Sequence, residues 1–176
     1  YPLRRQRQMC IRDRLSILFE KLGIDTMTVL KAAQSKYNFQ VHYPGAGVGG
    51  PCLPVNSYQL INSAKKLGSS LNIVESGRKI NESMPKHVMD LTINALKEKN
   101  LNLDESTILL LGISYKPNIK DIQLSPANDI VEKLKNFNAK IKIFDPYYKS
   151  EKIYDLVCET NYCLLYTSDA ADEEDS

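Results

Sequence analysis

Residues 43–56 read YPGAGVGGPCLPVN, which places four glycines and three prolines around one thiol in a chain that holds eight of each. Such a cysteine suits nucleophilic chemistry. Glycines let a substrate approach the backbone, prolines stiffen the far side, and a helix N-terminus a few residues on lowers a thiol pKa from about 8.5 toward neutrality. The same pattern suits a small buried cysteine beside a tight turn. Residue chemistry alone leaves Cys52 open between the two.

The other chemistry-bearing residues are weaker. Gly45, Gly47 and Gly50 spell G-x-G-x-x-G, but a dinucleotide fingerprint follows a buried strand and opens a helix at its third glycine. Here Pro51 to Pro54 follow, so no helix is expected at Gly50 and the match reads as coincidental. Lys116 follows a predicted strand, where parallel sheets bind ligands, and it suits either a phosphate or solvent. Asp121 carries less. Arg78 and Lys79 read as a solvated helix face. His42 and His87 have no cysteine or carboxylate at ligand spacing, so no metal is expected. Cys158 lacks supporting context.

Composition bounds the class. The 176 residues are 43% hydrophobic and 25% charged with a net charge of +2. No apolar run approaches the ~20 residues that span a bilayer. A cytoplasmic chain with no membrane or nucleic-acid partner is the expectation. The two ends stand apart: RRQRQMCIRDR and CLLYTSDAAD can be encoded by opposite strands of one DNA segment that resembles a transposon-end adapter. Residues 1–14 and 163–176 are therefore expected to be non-native and are set aside. Five of the 23 basic and six of the 21 acidic residues lie there, leaving a net +3. Cys10 and Cys163 go with them. The remaining Cys52 and Cys158 make no disulfide framework.

The elements that must position these residues follow from periodicity. LSILFEKLG reads as the end of a helix closed by Gly23. DTMTVLKAAQS is a short helix capped by Asp25 or Thr26. After the cysteine loop, Asn56 or Ser57 caps a helix that ends at Gly68. LNIVESGRKINESMPKHVMDLTINALKEKN carries a broad apolar stripe, with a kink or break predicted at Pro85. TILLLGIS then reads as a strand buried on both faces, SPANDIVEKLKNFN as a helix capped by Ser125 with Pro126 at its first position, and KIKIFDP as a second, parallel strand. A boundary is expected near 100–106. The predicted fold class is α/β overall: an all-helical domain over 15–102, then a truncated Rossmann-like parallel α/β domain over 104–162.

Taken together, PGAGVGGPCLPVN, GRKINESMPKHV, ILLLGISYKPNIKDIQLSPANDIVEKL and IFDPYY resemble the nucleotide-sugar 6-dehydrogenases over Leu15 to Tyr148, with the proline-rich loop nearer the N-acetylhexosamine branch. The resemblance implies a helical dimerisation domain, a homodimer, a UDP-sugar substrate such as UDP-N-acetylmannosamine, and NAD as cofactor. It implies Cys52 as the nucleophile of a two-step oxidation through a thiohemiacetal and a thioester. Tyr43, Gly45, Gly47, Val48 and Gly49 would line the sugar, Tyr115 and Lys116 would contact the nucleotide-sugar, and Leu53 and Pro54 would lie toward the nicotinamide. Two positions depart from the family pattern. Asn56 stands where an aspartate is usual and cannot act as a base; it takes the second catalytic place. Gln123 stands where an arginine reaches toward NAD, losing a permanent charge. The NAD domain and the helix bearing the catalytic lysine would precede Leu15, so the chain alone is expected to be inactive. Two other classes fit parts of the pattern: a non-catalytic nucleotide-sugar-binding module, and a cysteine-dependent acyl-transfer enzyme with His42 as partner.

Overall fold

The computed structural model describes residues 2–161, with side chains from residue 11 onward. The segment 163–176, expected to be non-native, lies outside the described residues. The chain divides into two compact units, residues 1–88 and 89–176. That division falls inside a helix, N-terminal to the expected boundary at 100–106.

The first unit is helical. α1 spans Pro2–Lys21 and α2 spans Thr26–Gln34. Gly23, at φ +67°, ends α1, and Ile24 N–H reaches back to the Phe19 carbonyl at 2.8 Å. This is the left-handed closure that glycine permits at no steric cost. Asp25 then caps α2, accepting from the amides of Met27 at 3.2 Å and Thr28 at 2.9 Å. The Thr28 hydroxyl, which donates to the same carboxylate at 2.6 Å, and then these amide bonds hold its carboxyl below the usual range. α3 spans Leu53–Lys66 and α4 spans Asn72–Glu98. The residues set aside as non-native are not all peripheral: Arg12 lies 4.4 Å over the Phe39 ring, and Asp13 is buried.

Two expectations are corrected here. α3 begins at Leu53 with Cys52 as its N-cap, so neither Asn56 nor Ser57 caps it. Pro54 falls in the first turn, where its missing N–H costs nothing. α4 also runs unbroken through Pro85. Pro85 and the adjoining Met84 are buried, so packing offsets the hydrogen bond that proline removes.

The second unit is built on β1 (Thr107–Leu111), α5 (Pro126–Asn136), β2 (Lys140–Phe144), β3 (Lys152–Ile153) and β4 (Leu156–Glu159). The sheet order is β1-β2-β4-β3, with β1 and β4 parallel to β2 and β3 antiparallel to β4. The parallel β1–α5–β2 unit stands as its sequence predicts. β1 is not buried on both faces, however: it is an edge strand, and Leu111 is 63% exposed. The short β3–β4 hairpin had no periodic signal. Ile113, Ala127, Val131, Ile143, Tyr148 and Cys158 form the buried core of this unit. Among the described residues, no helix is long and apolar enough to cross a membrane.

Candidate active site

The loop between α2 and α3 carries the glycines, and its chain path explains their number. Gly47 and Gly50 take φ values of +130° and +86°, which L side chains rarely adopt. Gly49 and Gly50 are buried while Pro51 and Cys52 are exposed. The chain thus dives under its own surface and returns at the start of α3. Cys52 makes no side-chain capping bond, so its exposed thiol is left for other chemistry at a helix N-terminus. Asn56 N–H donates to the Cys52 carbonyl at 3.0 Å, as a first-turn residue should. Asn56 is exposed, Leu53 half-buried and Pro54 buried.

A polar cluster on α4 grips this loop. Val48 N–H donates to Asn81 Oδ1 at 3.1 Å, and Arg78 Nη1 donates to the same oxygen at 3.2 Å. Arg78 Nη2 pairs with Glu82 at 3.1 Å, and the Arg78 guanidinium lies 5.5 Å from the Tyr58 ring on α3. The Tyr58 hydroxyl donates to Glu82, a bond that raises its pKa. The expected solvated face at Arg78 is therefore corrected: Arg78 is 5% exposed and Asn81 3% exposed, while Lys79 alone faces out. On α1, burial pushes Asp13 up to about 6, against the lowering effect of hydrogen bonds with the Gly45 amide and the Asn81 side chain.

The second unit has its own candidate surface at the C-terminal end of β1. Gly112 N–H extends the strand to the Phe144 carbonyl at 2.8 Å and turns at φ +81°. Asp145, just beyond β2, is buried and accepts from the amides of Ile113 at 3.0 Å and Ser114 at 3.3 Å. Tyr115 N–H donates to the Asp121 carbonyl at 3.0 Å, and Gln123 N–H to the Asp121 carboxylate at 2.8 Å. Those bonds fold residues 115–123 into one compact turn leading to Ser125, which caps α5 through the Ala127 amide. Lys116 and Gln123 are exposed on this turn and Tyr115 is half-buried. A loop between a parallel strand and a helix N-terminus suits a phosphate.

The expected site residues therefore fall into two sets. Tyr43, Gly45, Gly47, Val48, Gly49, Cys52, Leu53, Pro54 and Asn56 share the loop–helix junction of the first unit. Tyr115, Lys116 and Gln123 share the turn of the second. The glycine triplet builds no dinucleotide cradle: residues 40–46 form no strand, and α3 opens three residues after Gly50. Asn81 and Asp145 escaped the sequence reading. The i, i+3 spacing of Arg78 and Asn81 and an aspartate at a strand end were the available signals. Among the described residues, no group of three His, Cys, Asp or Glu is placed to hold a metal.

Comparison with known proteins gives the same division. The central domain of the UDP-glucose/GDP-mannose dehydrogenase family matches residues 4–83, and the UDP-binding domain of that family matches residues 109–174. The UDP-N-acetyl-D-glucosamine 6-dehydrogenase of Salmonella typhi is 36% identical over 149 residues, covering 85% of this chain and 35% of that protein. The UDP-N-acetyl-D-mannosamine dehydrogenase of Campylobacter jejuni is 33% identical over 176 residues, covering 97% of this chain and 40% of its own. Among solved structures, the UDP-D-ManNAc dehydrogenase of Pyrococcus horikoshii superposes with a TM-score of 0.75 at 30% identity, over 83% of this chain and 34% of that one. The chain thus spans little more than a third of the length of the curated relatives it matches.

Proposed function

This chain belongs to the UDP-glucose/GDP-mannose dehydrogenase family, and from that premise we propose that it is the central and UDP-sugar-binding part of an NAD-dependent UDP-N-acetylhexosamine 6-dehydrogenase. UDP-N-acetylmannosamine is the substrate the sequence favours. The relatives' names keep UDP-N-acetylglucosamine beside it. The observation that carries the reading is the exposed Cys52 thiol at the N-terminus of α3, at the end of a loop held from α4.

The sugar C6 alcohol first loses a hydride and a proton to become an aldehyde. Cys52, as thiolate, adds to that carbon; a C–S bond forms, the C=O π bond breaks and the oxygen takes a proton, giving a thiohemiacetal that keeps the aldehyde's C–H bond. Loss of a second hydride from carbon and of the hydroxyl proton leaves a thioester. Water then adds, the C–S bond breaks, and the uronate departs with the thiolate restored. Asn56 can orient that water by its amide but cannot take its proton. NAD⁺, bound by the whole protein, supplies the oxidising power for both hydride losses. Leu53, Pro54 and Gln123 are this chain's candidate contacts with it, and none offers a charge for its pyrophosphate. Lys116 and Tyr115 are assigned to the nucleotide-sugar, with the α5 N-terminus behind them. A homodimer through the helical unit and a cytoplasmic place in polysaccharide synthesis complete the proposal.

The test uses the whole protein. UDP-N-acetylmannosamine, UDP-N-acetylglucosamine and UDP-glucose are each supplied with NAD⁺, and NADH and uronate are counted. The proposal predicts two NADH per uronate with an N-acetylhexosamine and loss of uronate in Cys52→Ala. Preference for UDP-glucose, or uronate formed at the parental rate by Cys52→Ala, would sink it.

A further inference from the structure

Cys52 is held from both sides by one helix. Four residues before it, Val48 N–H donates to Asn81 Oδ1 at 3.1 Å. Six residues after it, Tyr58 donates to Glu82, and its ring lies 5.5 Å from the Arg78 guanidinium. Arg78 joins the two anchors, donating to Asn81 at 3.2 Å and pairing with Glu82 at 3.1 Å. Arg78 and Asn81 are 5% and 3% exposed, so the bonds onto Asn81 are shielded from competing water and hold geometry better than surface pairs do, while the Tyr58–Glu82 bond lies at the exposed edge of the cluster.

Up to the start of α3 the chain is poorly held by secondary structure. Residues 39–52 include no helix or strand, and glycines at positive φ add conformational freedom in the unfolded and locally open states. The thiol would wander with the loop unless the loop were pinned. A nucleophile needs placement to within about half an ångström of its productive position.

We propose that Asn81, Arg78, Glu82 and Tyr58 form a positioning bracket for Cys52: Asn81 fixes the glycine loop, Tyr58 and Glu82 fix the first turns of α3, and Arg78 couples the two. The inference rests on Cys52 being the reactive thiol, and it adds what sets that thiol's position. None of the four touches the reacting atoms; they act through the backbone that carries the cysteine.

The experiment compares the parent chain with Asn81→Ala and Tyr58→Phe. Hydrogen exchange is followed at the Val48 amide, and alkylation of Cys52 by iodoacetamide is followed by peptide mass across a range of pH. Losing one buried hydrogen bond corresponds to an about tenfold change in a local opening equilibrium. Asn81→Ala is therefore expected to speed Val48 exchange about tenfold and to shift the pH profile of Cys52 alkylation, with amides in the middle of α4 unchanged. Tyr58→Phe sits at the exposed edge of the cluster and keeps its ring on Arg78. It tests the second anchor even if Asn81→Ala fails to fold, and is expected to shift Cys52 alkylation by about threefold. Parental Val48 exchange and parental alkylation in the folded variants would overturn the bracket. A uniform rise in exchange across the helical unit would also overturn it, by making the cluster a packing feature. These readings require no turnover, so failure of the bracket and failure of the dehydrogenase proposal are separable: the latter is read from uronate, the former from the loop.

Discussion

The Asp145 carboxylate accepts the backbone amide of Ile113 at 3.0 Å, joining the ends of two neighbouring parallel strands. The same oxygen accepts from Ser114 N–H and Ser114 Oγ, each at 3.3 Å, while the other accepts from Tyr147 N–H at 2.9 Å. One buried side chain thus sets where the loop bearing Tyr115 and Lys116 leaves β1.

Removing that acceptor strands buried donors. Asp145→Ala is expected to cost about 3 kcal/mol, since each buried donor left unpaired carries a penalty of about 1–3 kcal/mol. Asp145→Asn keeps a carbonyl oxygen and should cost less. Denaturant unfolding followed by a probe in the second unit measures both. Equal stability of Asp145→Ala and parent would remove Asp145 as the organiser of this loop.

Asp13 gives the helical unit a pH dependence of unusual sign. Its carboxyl is raised from 3.8 to about 6, chiefly by burial. Between those values the folded chain retains a proton that the unfolded chain has released, so stability falls as pH rises through the window. The loss is complete above about 6 and amounts to roughly 2–3 kcal/mol. Asp13→Asn should flatten the profile and stabilise at neutral pH. Thermal midpoints between pH 4 and 8 that rise with pH in the parent would contradict this.

The two cysteines with described side chains should separate cleanly. Cys52 is exposed, whereas Cys158 is 1% exposed within the sheet core, and burial pushes its thiol pKa up. Alkylation of the folded chain should label Cys52 at least about 100-fold faster than Cys158, which opens only with its strand. Peptide mass mapping gives both rates. Comparable rates would mean that β4 is not packed as described.

What the sequence displayed was local. Asp25 and Ser125 were legible as caps because a cap needs only its own helix start. β1, α5 and β2 were legible because a parallel unit repeats an apolar–turn–amphipathic pattern. The misreadings came where packing decides. Asn56 and Ser57 were read as caps of α3, which starts earlier because Pro54 is harmless in a first turn, and at Pro85, read as a kink or break, burial offsets the lost bond. Arg78 looked solvated because its partners, Tyr58 on α3 and Asn81 with the distant Val48 amide, meet it only in the folded chain. The Cys52 loop was visible as a loop; what pins it was not.

Ser125 offers a smaller check on the second unit. Its side chain caps α5 through the Ala127 amide, beside Pro126 at the first position and Asp129 in the first turn. Ser125→Ala should cost about 1 kcal/mol. Because α5 follows the Tyr115–Gln123 turn, it should also weaken UDP binding measured by calorimetry in the whole protein. Unchanged stability would show that the cap is dispensable.

The most direct test is to trap the sugar on the thiol. The whole protein is mixed with UDP-N-acetylhexosamine and NAD⁺, quenched in acid during turnover, digested and weighed. The peptide carrying Cys52 is predicted to gain the mass of a UDP-uronyl acyl group, and the gain should vanish when NAD⁺ is omitted. An unmodified Cys52 peptide throughout turnover, together with full uronate production by Cys52→Ala, would contradict the assignment of Cys52 as nucleophile.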